Sequence, residues 1–93
     1  MQNNPAIGES WEDVRKRLFT PEEIAESDLR VALIGELIRA RQERGITQKQ
    51  FEELSGVTQP VIARLERGTI SPNISTVMKL LAPLGKKLAI VPL

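Results

Sequence analysis

The chain has 93 residues, 41% of them apolar and 27% charged, with a formal net charge of +1; this is the size and balance of one small water-soluble domain. It contains no cysteine and no histidine, which excludes disulfide frameworks, thiol and Ser-His nucleophiles, thiolate metal sites and the commonest general base. Trp11, Phe19 and Phe51 are the aromatic residues, too few for a base-stacking platform on single strands, and no apolar run approaches the ~18 residues of a membrane span. No basic-then-apolar secretory pattern opens the chain. The expectation is a cytoplasmic binding protein, not an enzyme, with no cofactor, metal or small-molecule ligand.

The small net charge conceals an asymmetry. Residues 1–27 carry six acids against three bases, giving −3, and residues 28–93 carry six acids against ten bases, giving +4. An acidic N-terminal segment on a basic body implies two surfaces with different partners.

In chain order, Gln2-Asn3-Asn4-Pro5 is expected to be disordered. Ser10, with Asp13 three residues on, opens a helix in which Trp11, Val14 and Leu18 recur at helical spacing. Thr20-Pro21-Glu22-Glu23 is a stronger start, with a hydroxyl cap, proline at the first helical position and an acid three residues after the cap. That helix is expected to end near Ser27. A longer one is expected from about Asp28 to Arg44, with Leu33, Ile34, Leu37, Ile38 and Arg41 on one side and Gly45 as its stop.

Thr47 and Gln50 form a capping box for a helix carrying Phe51 and Leu54, which ends near Ser55-Gly56. Thr58 then caps a helix to Arg67. It turns Val61, Ile62 and Leu65 inward and leaves Gln59, Pro60, Ala63, Arg64 and Arg67 on the opposite side. Two short helices joined by a glycine turn, the second with a polar outer face, have the sequence form of a helix-turn-helix. Gly56 belongs in that turn because a left-handed backbone is cheap only without Cβ. After Ser71-Pro72-Asn73 a last helix is expected over about Ile74 to Leu84, with Ile74, Val77, Met78 and Leu81 inward. Beyond Pro83 and Gly85, Leu88, Ile90 and Val91 favour a short strand. A lone strand must pair, and antiparallel pairing with its twin would give a two-fold dimer.

The run from Thr47-Gln48-Lys49-Gln50 through Ser55-Gly56-Val57-Thr58-Gln59-Pro60 to Leu65-Glu66-Arg67-Gly68 resembles the lambda-repressor-like, or Xre-type, helix-turn-helix family over roughly residues 31–85. The N-terminal extension and the ending Leu-Gly-Lys-Lys-Leu-Ala-Ile-Val-Pro-Leu look, more narrowly, like a HigA-type antitoxin. The resemblance implies an all-α fold: a helical extension over 1–27 that binds toxin, a DNA-binding domain over 28–85, and a dimerising strand over 86–93. It implies neutralisation of a HigB-type mRNA endonuclease, and repression of the protein's own operon by a homodimer on a palindromic double-stranded operator. The alternative is a stand-alone Xre-family repressor without a toxin.

Site residues follow from the face and from the family. Gln59 can pair bidentately with adenine, and Arg64 either with guanine or with a backbone phosphate. Pro60 departs from the polar residue common there and offers only apolar contact, and Ala63 completes the base-reading set. Gln48, at a helix N-terminus that favours a phosphate oxygen, matches the family's backbone clamp. Lys49, Thr58, Arg67 and Thr69 are further phosphate candidates. Family alignment makes Arg41 and Glu66 a structural ion pair. Trp11, Val14, Leu18 and Phe19 form an apolar stripe within the acidic segment that either packs the N-terminal helix onto the domain's own core or, as the candidate toxin contacts, anchors a basic partner; Leu88, Ile90 and Val91 are the candidate dimer contacts.

Overall fold

Short polar side chains start the helices, and they do so by accepting from the exposed amides of the first turn. Ser10 accepts from the Asp13 amide at 3.2 Å. Thr20 and Glu23 form a reciprocal capping box, as do Thr47 and Gln50. Asn73 accepts from the Thr76 amide. In the computed structural model, which describes residues 10–93, these caps open helices α1 (Trp11–Leu18), α2 (Pro21–Glu43), α3 (Gln48–Ser55) and α5 (Ile74–Leu81). The fourth, α4 (Gln59–Glu66), follows the turn after α3, and a 3-10 turn, Ala82–Leu84, follows α5. The expectation of disorder at Gln2–Pro5 lies outside the described residues.

Three expectations need correction. The break expected between Ser27 and Asp28 is absent, and α2 runs unbroken from Pro21 to Glu43. Serine and aspartate are poor helix formers, but each costs only about 0.5 kcal/mol in a helix interior; the helix also carries Gly35 in its interior without a break, and its proline, Pro21, sits at the first position, where it is tolerated. The strand expected at Leu88, Ile90 and Val91 does not form: among the described residues the fold is all helical, and 86–93 take no regular structure. A strand exists only where a neighbour accepts its backbone bonds, and the single chain offers none along this stretch. Finally, α5 is turned from the expected face. Val77, Leu80 and Leu81 are buried, while Ile74 and Met78 are exposed.

The chain divides into two units, Met1–Arg30 and Val31–Leu93, with α2 contributing to both. In the first, Arg15 on α1 reaches Glu12 at 2.8 Å and Asp28 on α2 at 2.7 Å. No residue of α1 is fully buried.

The second unit holds the core. Ile34, Leu37 and Ala40 of α2 pack with Phe51 of α3, Ile62 and Leu65 of α4, and Leu80 of α5. Val57 in the turn, Val77 and Leu81 of α5 and Leu84 in the 3-10 turn complete this cluster. Leu54, on the same helix as Phe51, is exposed. Arg44 donates to the Pro83 carbonyl and Lys86 lies 3.6 Å from Glu36, so the end of the fold is tied back to α2.

Candidate nucleic-acid interface

Two short helices can present a reading face only if the turn between them is fixed. Gly56 ends α3 with φ of +79°, and a Cβ there would meet nothing within 4 Å. Its requirement is therefore conformational and not spatial. Ser55 holds the same turn. Its hydroxyl donates to the Phe51 carbonyl at 2.6 Å and accepts from the Val57 amide at 3.1 Å, a role the sequence reading did not assign. Val57 is buried just beyond.

Ile62 and Leu65 anchor α4 in the core, each 1% exposed. The helix period then turns the opposite side outward. Pro60, Arg64 and Arg67 are exposed, and Gln59 and Ala63 are half-buried beside them. No ion pair holds the Arg64 or Arg67 guanidinium among the described residues. Thr58 is extended at the N-cap of α4 but makes no capping bond with its side chain. Glu52 lies at this helix start instead. Its carboxyl is held below the ordinary range, first by its hydrogen bond with Lys49 and also by the Gln59 backbone N–H, against an opposing effect of burial. Lys49, 3.0 Å from Glu52, is correspondingly raised by that same bond.

Behind the face runs a connected polar line. Arg41 donates through Nε and Nη2 to the two Glu66 oxygens at 2.7 and 2.9 Å, and through Nη1 to the Ile46 carbonyl at 2.8 Å. Such a bidentate pair is charge-assisted and rigid, and here the side chains are only 12% and 10% exposed. Gln48 Nε2 donates to Glu66 Oε1 at 2.9 Å, and Gln59 Nε2 donates to Gln48 Oε1 at 2.7 Å. Spacing and resemblance single out all four residues but pair only Arg41 with Glu66. The bonds through Gln48 span 18 and 11 residues, and no local pattern encodes them.

The remaining phosphate candidate, Thr69, turns its hydroxyl back to the Arg64 carbonyl at 3.0 Å, where its own amide also donates. Among the described residues no group of acidic side chains could hold a metal ion, and no helix is long and apolar enough to cross a membrane.

In the first unit, Trp11 and Phe19 line a groove of about 420 Å³ with Ile24, Arg15 and Arg30. Glu23 and Glu26 stand on its wall. Val14 is half-buried, and Leu18 is exposed outside the groove. At the other end of the chain Leu88, Ile90 and Val91 are exposed.

The helix-turn-helix family pattern matches residues 37–91, more than half of the chain. The chain is an Xre-family helix-turn-helix protein. Among its relatives is an uncharacterized HTH-type transcriptional regulator of Haemophilus influenzae, 59% identical over 94% of this chain and 89% of that one. The HTH-type transcriptional regulator PuuR of Escherichia coli is 42% identical over 57% of this chain, which matches only 29% of PuuR. Among solved structures, a chain of a toxin–antitoxin module from Streptococcus pneumoniae is 63% identical, with a TM-score of 0.75 over 97% of this chain and all of that one.

Proposed function

We propose that this Xre-family protein is a HigA-type antitoxin: a homodimer that represses its own operon and neutralises a HigB-type mRNA endonuclease. The DNA-binding half rests on one observation above all. The outer side of α4 carries a glutamine and two arginines with no ion-pair partner among the described residues, on a helix whose inner side is locked into the core. Such a helix fits a major groove about 12 Å wide. Gln59 reads adenine, Arg64 reads guanine, and Pro60 and Ala63 make apolar contact. Gln48, Lys49, Thr58, Arg67 and Thr69 hold the backbone; Lys49 and Thr69 contribute less because their polar groups are already engaged, and Gln48, bonded to Glu66 and Gln59, keeps one side-chain N–H for a phosphate. The exposed tail residues Leu88, Ile90 and Val91 are the dimer contacts, and two-fold symmetry then matches a palindromic operator.

The toxin half rests on the Trp11–Phe19 groove in an acidic segment and on similarity to the streptococcal toxin–antitoxin chain. A nuclease that grips RNA phosphates presents the basic surface that such a segment fits. The Haemophilus relative, named only as a regulator, favours a second reading, a stand-alone repressor.

One experiment separates them. Trp11→Ala with Phe19→Ala in the full chain is expected to abolish inhibition of the nuclease encoded beside it while operator binding persists. Gln59→Ala should do the reverse, removing about 1–3 kcal/mol of discrimination at one base pair. Unchanged base preferences in Gln59→Ala would refute the reading of α4, and the absence of any co-purifying nuclease would favour the stand-alone repressor.

A further inference from the structure

We propose that Glu66 is a positioning residue for base recognition: it sets the amide orientation of Gln48, and through it the hydrogen-bonding pattern that Gln59 presents to a base. This rests on the reading of Gln59 given above. An amide side chain has an accepting end and a donating end, and its neighbours decide which end points where. The Glu66 carboxylate, gripped by Arg41 through both oxygens, only accepts. Gln48 must therefore turn its NH2 toward Glu66, as it does at 2.9 Å. Its carbonyl oxygen is left facing Gln59, which donates to it at 2.7 Å.

The consequence reaches the outer surface. Gln59, having given one N–H to Gln48, keeps its carbonyl oxygen and one N–H for the groove. An acceptor beside a donor matches adenine, whose N6 donates and whose N7 accepts. Were Gln48 reversed, Gln59 would accept from it and turn both N–H groups outward. Two donors match guanine, whose O6 and N7 both accept. The ion pair with Arg41 thus does more than join α2 to α4. It selects adenine over guanine at a base that neither Arg41 nor Glu66 touches.

The test measures adenine-against-guanine preference at each operator base pair, using titrations of synthetic duplexes of the protein's own promoter at fixed salt. Glu66→Gln permits both orientations of Gln48, because the new amide can donate or accept. The preference at the Gln59 base pair is expected to fall about tenfold, the scale of one bidentate base contact. A merely structural role would weaken binding to all duplexes alike and leave that ratio unchanged. Gln48→Met breaks the line without touching the ion pair, so it decides the matter if Glu66→Gln does not fold. It should produce the same fall, and adding Glu66→Gln to it should produce no more. If Gln59→Ala loses the preference while Gln48→Met and every folded Glu66→Gln protein keep it, the positioning role is wrong and the base contact stands. If Gln59→Ala keeps it, the base contact itself is wrong.

Discussion

Arg41 illustrates how one side chain can hold several elements at once, since it reaches Glu66 on α4 and the Ile46 carbonyl in the loop before α3. Arg41→Ala would leave a nearly covered carboxylate without its counter-charge and a carbonyl without its donor. Urea unfolding should show a loss of about 3–4 kcal/mol; a loss below 1 kcal/mol would mean the pair is merely a surface contact. The half-buried surface acids behave differently. Glu36 is held below the ordinary carboxylate range first by its hydrogen bond with Arg39, and Glu52 first by its bond with Lys49. A depressed carboxyl contributes stability above its unfolded value, near 4.5, and loses it as pH falls through the lower folded value. The urea midpoint should therefore decline below about pH 4.5, and Arg39→Ala with Lys49→Ala should make that decline shallower.

At the scale of elements, the left-handed residue between α3 and α4 is the most sensitive point. Gly56→Ala should cost about 1–2 kcal/mol, the penalty of a left-handed Cβ, and Gly56→Asn should cost less because asparagine tolerates that region. Thermal unfolding of the two variants checks this ordering. Such features were legible because they are local: a hydroxyl three residues before an acid or amide, or a glycine at a helix end, carries its own reason. The face of α5 was not. Ile74, Val77, Met78 and Leu81 form one helical stripe, and Val77, Leu80, Leu81 and Leu84 form another a short rotation away. Periodicity cannot choose between them, and the burial of Leu84 beyond the helix end does. The continuity of α2 was hidden for a related reason. Ser27-Asp28 reads as a cap in isolation, but in the fold Asp28 bonds Arg15 and the helix continues past it. The tail read as a strand from composition alone, and composition supplies no neighbour.

Across the whole molecule, the outer face of α4 could be deduced from spacing because Ile62 and Leu65 define its inner side. The line from Arg41 through Glu66 and Gln48 to Gln59 could not, because it exists only after three helices have packed. That line links a stability device to the proposed reading surface, so the core behind α4 and the face before it are parts of one arrangement. The acidic first unit carries its own surface, the groove between Trp11 and Phe19, which is the proposed toxin contact. The central claim is that α4 and the start of α3 meet double-stranded DNA. It is tested most directly by titrating isotope-labelled protein with its own promoter duplex and following each backbone amide by NMR. The largest shifts are expected at Gln48, Lys49, Gln59 and Val61 through Arg67, Pro60 having no amide, with the amides of Trp11 to Phe19 little changed. Shifts concentrated instead on Trp11 to Phe19, or none at all at low salt, would contradict the account.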